Sequence, residues 1–580
     1  MTMLARVALA LGFSFVLSPP ASAAGIIDHV PAEAVGFAVV HNLSSVDAKV
    51  QRLMAIFEDL SEVKPPAPLA FIRTATGLGA GVNESGDALM ALLPGDTPEQ
   101  PKPLLVVAVS DYAAFAASVG GDASGEISRV RIAGQEVLAA KRAEYAVLMN
   151  MEHRATMETL LGTPAREPES IAALGQWLAE ADVAIVVLPA GVDYLTGRGK
   201  AAVDEQAASL DEQYGDPALA DMLKDMKQGL EINRSILGFV DAEIAAGAVG
   251  VAIDETGNVR ISDRFLFTEG GRLARLQNVP KGDEPALAGF PNEPFVFAGG
   301  GPIPPAWMEA GARLMRRIIE DHPEIYGFAG FDEAQWAEVE ASWTEAMRAR
   351  AWSMVMFAGA KDDPLYSNLY GRALVDDSTA YLASIKKSMA TWNKLTAAST
   401  SDITLNSETS DVEIAGKRGV MVVTDVAAAA GDDDVPMIKP MFEAMFGGDG
   451  KIRFYSIAAA PQVALTAIAP EPKVTEALGW AADERGLANA SEVAETAGLL
   501  NPAAPWTFYL SPQGIVIWAE RMYTKVFSAF GGPAFPIPPY PAGPPLGMSM
   551  NLANGQFQGE LVVPRKMLEG LADYIKQVMK

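Results

Sequence analysis

Two stretches of this chain repeat in the same order, and that constrains the fold more than any other feature. Pro31-Ala32-Glu33-Ala34-Val35-Gly36-Phe37-Ala38 returns as Pro291-Asn292-Glu293-Pro294-Phe295-Val296-Phe297-Ala298. Arg52-Leu53-Met54, Ile56 and Glu58-Asp59 return as Arg313-Leu314-Met315, Ile318 and Glu320-Asp321. Val109-Ser110-Asp111 with Ala114-Phe115 matches Val375-Asp376-Asp377 with Ala380-Tyr381. Val130-Arg131-Ile132-Ala133-Gly134 then matches Val412-Glu413-Ile414-Ala415-Gly416. A collinear series of this kind marks an internal repeat. It predicts a tandem duplication, with one unit over residues 25–285 and a second over 286–580. Residues 250–257 and 547–555 carry the correspondence into the tails. The spacing Pro-x-x-Pro-aromatic-x-Phe occurs once more at Pro502, Pro505, Trp506 and Phe508, which divides each half into two sub-modules.

The local chemistry predicts an α+β unit. Residues 104–109 form a strand-sized apolar run, and Asp111 can cap the helix whose apolar side is Ala114, Phe115 and Val119. Gly134 between Val130-Arg131-Ile132 and Val137 reads as a hairpin turn. Hairpins with interspersed helices predict largely antiparallel sheets covered by helices on one face. Two segments depart from the repeat. Residues 205–233 are long, charged and helix-favouring, whereas 531–545 holds seven prolines and is expected to run as an exposed polyproline-like loop.

The first 24 residues read as a signal peptide. Arg6 precedes a short apolar run, and Ala21-Ser22-Ala23 gives the small-x-small cleavage pattern. The run is shorter than the roughly 20 residues a membrane span needs, and no later stretch reaches that length. The expectation is a secreted or periplasmic chain with no membrane span. It has no cysteine, so no disulfide can form. The formal charge of −27 argues against nucleic acid as a partner, since like charges repel.

No residue of the sequence is assigned as catalytic, cofactor-binding or metal-ligating. His29, His41, His153 and His322 lie too far apart for zinc-type spacing, and each reads as an isolated surface or junction histidine. Ser384 and Lys387 satisfy S-x-x-K without its companion boxes. Gly77-Leu78-Gly79-Ala80-Gly81 and Gly197-Arg198-Gly199-Lys200 lack the spacings of phosphate-binding loops. Gly299-Gly300-Gly301 is expected to follow a strand, before Pro302. Asp432-Asp433-Asp434 lacks the ligand alternation of a calcium loop. Asp332 and Gln335 form a capping box, and Trp336, Val339, Trp343 and Met347 share one face of the helix that follows, which predicts a stripe buried on a sheet.

Val30-Pro31-Ala32-Glu33-Ala34 with its Phe37 strand, Val109-Ser110-Asp111, and the closing Glu560-Leu561-Val562-Val563-Pro564 resemble a group of large exported proteins of planctomycete-type bacteria that carry a domain of unknown function. The resemblance implies a signal peptide and an α+β repeat architecture, and it brings no catalytic residue, cofactor or substrate. The leading expectation is a non-enzymatic exported binding or structural protein, with an unknown protein or a hydrophobic ligand as partner. One alternative is a periplasmic carrier of a lipid or other hydrophobic ligand. A second is a hydrolase whose site is assembled from distant residues.

Overall fold

Apolar runs separated by glycine and asparagine turns become antiparallel strands. The computed structural model describes all residues except 1–23, 61–66, 78, 96, 98, 99, 214–219, 277, 283–285, 322–330, 347, 398–406, 426–443, 448–450, 481–485, 530–536 and 580. The signal segment, His322 and Asp432-Asp433-Asp434 lie outside the described residues. The chain is α+β, with many helices and antiparallel sheet throughout. It divides into two compact units: residues 1–209, 236–277 and 552–572, and residues 210–235, 278–551 and 573–580. Each unit thus gathers segments that are distant in sequence.

Unit 1 contains β1 (Gly36–Val40), β2 (Ala88–Leu93), β3 (Lys102–Ala108), β4 (Ile127–Ile132), β5 (Gln135–Arg142), β6 (Tyr145–Asn150), β7 (Val183–Val187), β8 (Ile244–Ile253) and β9 (Val259–Phe267). Their order across the sheet is β4-β5-β6-β3-β2-β1-β7-β8-β9, every pair antiparallel. Unit 2 contains β10 (Phe295–Pro302), β11 (Ala351–Phe357), β12 (Leu369–Leu374), β13 (Ser407–Ile414), β14 (Lys417–Asp425), β15 (Lys451–Ala460), β16 (Val463–Ile468), β17 (Trp506–Leu510) and β18 (Leu546–Ala553). Their order is β13-β14-β15-β16-β12-β11-β10-β17-β18. The last strand, β19 (Gln556–Val563), pairs with β9 in unit 1.

The hairpin geometry follows from the turn residues. Ala133 and Gly134 sit at φ 47° and 83°, Ala415 and Gly416 at φ 50° and 73°. Two successive left-handed residues are what a type I′ turn requires. These matched hairpins nevertheless occupy different places. One strand, β6, separates the β4–β5 hairpin from β3, whereas β15 and β16 separate β13–β14 from β12.

Helices pack on both faces of the unit 1 sheet, not on one. On one face Phe37, Val39, Leu89, Leu104 and Val106 meet Ile26, Ile27, Met157, Leu174 and Leu178. On the other, Leu105, Val107, Ala146 and Leu148 meet Val46, Tyr112 and Phe115. The cause is legible in the continuous apolar runs of β3 and β6, which bury both phases of the strand. Asp111 caps the helix Tyr112–Ser118, accepting the Ala114 amide at 3.1 Å. Further along, the strands expose apolar side chains, with Ile185, Val249 and Phe265 all accessible.

Lys49, on the helix Leu43–Ile56, is buried; its Nζ donates to the Ile253 carbonyl and lies 3.6 Å from Asp182. Asp182 also accepts the Ile253 amide at 2.8 Å, so this pair ties the helix to the end of β8. Burial pulls the ammonium down to about 8, against the attraction of Asp182.

Candidate functional site

The site begins with the three glycines of β10. They lie inside the strand, not in a loop after it, which corrects the sequence expectation. A Cβ on Gly300 would meet the backbone of Trp352 and Ser353, and one on Gly299 the Phe508 side chain and the Thr507 carbonyl. Only glycine lets the neighbouring strands approach this closely.

The register then sets a row of residues across the sheet. Gly300 stands opposite Thr507 on one side and Ser353 on the other, and Ser353 stands opposite Arg372. Side chains of paired residues share a face, so this row puts a hydroxyl, a bare backbone, a second hydroxyl and a guanidinium side by side. In the next row on that face Tyr509, Ala298, Val355 and Tyr370 are all buried. Above these rows lie Leu287, the helix Ser491–Ala497 with Val493 and Ala497, and Leu500. Between them is a cavity of about 470 Å³. That volume falls in the range of about 300–1,000 Å³ typical of small-ligand pockets.

Among the described residues, three cations line the cavity. Arg350 lies 3.4 Å from Asp376, and Lys281 donates to the Pro502 carbonyl at 3.0 Å. Arg372 is half-buried and donates to the Ala288 carbonyl, its guanidinium resting over Gly289. Gly289 has φ 78°, a conformation that suits glycine. Among the described residues no carboxylate pairs with Arg372 or Lys281. Burial raises the Tyr509 phenol above its ordinary value, partly offset by the influence of Thr507. The described residues lining the cavity include no histidine, aspartate or glutamate.

The residues singled out in the sequence do not converge here. His29 is 4% exposed, buried and not at the surface; its ring lies 4.7 Å from that of Tyr145 and its Nδ1 has no hydrogen bond. Burial, followed by the Arg142 charge, lowers its pKa. It borders a second cleft of about 990 Å³ in unit 1, where Asp28, Glu33, Glu167 and Arg142 mix both signs of charge. His41 Nδ1 is 3.3 Å from Asp87, and His153 Nε2 is 3.6 Å from Glu152. Among the described residues no three His, Asp or Glu side chains group as a metal site would need.

Ser384 donates to the Tyr381 carbonyl within its own helix and Lys387 pairs with Glu345 at 2.6 Å, so the two form no unit. Gly197 to Lys200 lie within the helix Pro189–Gln213, with Lys200 on Asp241 at 2.7 Å. The capping box forms, with Asp332 and Gln335 exchanging bonds of 2.8 and 2.9 Å. Trp336 is buried against Phe331 and against Trp392 of a neighbouring helix, and among the described residues no strand side chain joins that cluster. The side chains of Trp343 and Met347 lie outside the described residues. The proline-rich segment is not simply exposed: Tyr540 is buried 5.2 Å from Tyr574, and Pro545 accepts a hydrogen bond from Thr496 at 2.8 Å.

Sequence reasoning missed Arg372. Its signal was present in Tyr370-Gly371-Arg372-Ala373-Leu374, where the charge falls in phase with the buried Tyr370. No helix among the described residues is long and apolar enough to cross a membrane. The chain matches no protein-family model, no curated protein and no solved structure.

Proposed function

We propose that this chain is an exported, non-enzymatic binding protein whose ligand sits in the cavity of unit 2. The observation that carries this reading is the lining itself. Hydroxyls and cations converge on a cleft whose described lining residues offer no imidazole or carboxylate as a general base. Such a set can hold a molecule through hydrogen bonds and charge, and it favours binding over hydrolysis.

We also propose that the units are copies of one ancestor at their centres. In each, the order around the first strand is alike: β7-β1-β2-β3 and β17-β10-β11-β12. Each strand before a long helix ends in the same turn, Leu188-Pro189-Ala190-Gly191 and Ser511-Pro512-Gln513-Gly514. Leu188 donates to the Val35 carbonyl at 3.0 Å, and Ser511 to that of Val296 at 3.0 Å. The unequal placing of the outer hairpins limits the proposal to these central strands.

Native mass spectrometry of the chain released from its own cell envelope tests the binding reading. A small molecule is expected to accompany the wild type and to be absent from a folded Ser353→Phe variant, in which the new ring fills the cavity. A Ser353→Phe protein that retains the same molecule overturns it. The same spectra are expected to show cleavage after Ala23 or Ala24.

A further inference from the structure

We infer that the ligand is an amphiphile with an oxyanion head, an alkyl carboxylate or alkyl phosphate, its head on Arg372 and its chain against the helix Ser491–Ala497. This rests on the binding reading above and adds the ligand's chemistry.

The lining divides by polarity. On the floor, Ser353, Thr507 and Tyr509 bring hydroxyls to the same face as Arg372. On the roof, Leu287, Val493, Ala497 and Leu500 offer only hydrocarbon, and Leu374 adds hydrocarbon to the floor two residues beyond Arg372. A ligand that satisfies both must have one polar end and one apolar end.

The sign of the head follows from charge. Arg372 and Lys281 face the cavity with no carboxylate partner among the described residues, in a protein whose formal charge is −27. An unpaired guanidinium held partly out of water is costly unless something compensates it. Arg372 gives one donor to the Ala288 carbonyl and keeps the rest of its fork. That planar fork fits two oxygens of a carboxylate or phosphate at once. A cationic or neutral head would leave it uncompensated.

The carboxylate and phosphate share this chemistry, and direct titration separates them. Isothermal titration of the full mature chain with decanoate, decyl phosphate, decanol and decyltrimethylammonium is the experiment. One or both anions are expected to bind at one per chain, at least about tenfold tighter than decanol or the cation; the tighter anion names the source. Arg372→Gln is expected to weaken anion binding about tenfold or more and to leave decanol unchanged, with Arg372→Lys recovering part of the loss. If Arg372→Gln does not fold, Lys281→Gln serves in its place, with a smaller loss confined to the anions. Decanol binding as tightly as decanoate, or anion binding untouched by these variants, overturns the oxyanion head and leaves the cavity reading standing. Failure of all four probes, together with a chain that carries no native ligand, overturns both.

Discussion

The same four positions of the central sheet are filled in one unit and hollow in the other. In unit 1, Ala184, Val39, Leu89 and Val106 stand in one row across β7, β1, β2 and β3, each of them buried. In unit 2, the row across β17, β10, β11 and β12 reads Thr507, Gly300, Ser353 and Arg372. The first row is a core, held by burial of apolar surface at roughly 1.5–3 kcal/mol per large side chain. The second gives up that packing and presents polar groups to a cavity. The strand order is the same, so the contrast teaches that the residues placed on such a sheet decide whether it encloses a core or a site.

Exchanging the rows' residues should break the contrast most severely. Val106→Arg would bury an unpaired charge in unit 1 and is expected to cost about 4 kcal/mol or more, read as loss of the cooperative denaturation transition. A soluble variant with an unchanged midpoint would mean that the unit 1 row is not the core described. Trp336→Ala tests whether the looseness of unit 2 is local. Its burial against Phe331 and Trp392 predicts a loss of about 3–5 kcal/mol in urea denaturation. A cost below about 1 kcal/mol would show unit 2 to be loosely packed throughout.

A pH titration sharpens the account of unit 1. The Lys49 ammonium is depressed from 10.5 to about 8 in the folded state, so above pH 8 the unfolded chain binds more protons there. Stability from this residue therefore rises with pH between about 8 and 10.5, by roughly 1.5 kcal/mol from pH 8 to 9.5. The wild type minus Lys49→Met difference should show that rise, and a flat difference would contradict it. The smallest effect is expected at the hollow row. Arg372→Leu should leave stability within about 1 kcal/mol, because removing an unpaired, partly buried charge costs little. Anion affinity should nevertheless fall, and a large stability loss would recast Arg372 as structural.

Much of the fold was legible in the sequence and less of the site. The antiparallel class followed from Gly134 and Gly416, whose positions after alternating strands left few options other than tight hairpins. The capping box at Asp332 and Gln335 was equally readable, because capping depends on neighbours only three residues apart. What covers Trp336 was not, since a stripe on one helix face looks the same whether a sheet or another helix receives it. The glycines of β10 mimic loop punctuation, and only the close approach of β11 and β17 explains them. Tyr540 shows the same limit: prolines around it signal an irregular backbone but not whether that backbone is buried. Arg372 was hidden because a charge within a strand is ordinarily read as a solvated position.

The glycines of β10 also bear on the order of folding. A strand with Gly299, Gly300 and Gly301 loses more chain entropy on ordering than one built of branched residues, by about 0.5–1 kcal/mol per glycine relative to alanine. It is therefore a poor nucleus, yet it lies between β11 and β17, and β17 is distant in sequence. Unit 2 must close that long loop before its central strand is held on both sides, and rates fall as such distant contacts dominate. The strand β1, with Phe37, Val39 and Val40, is also flanked by a distant strand, β7, but has no run of glycines to order. Unit 1 is thus expected to acquire protected amides first during refolding, and β10 to be among the last strands to resist hydrogen exchange.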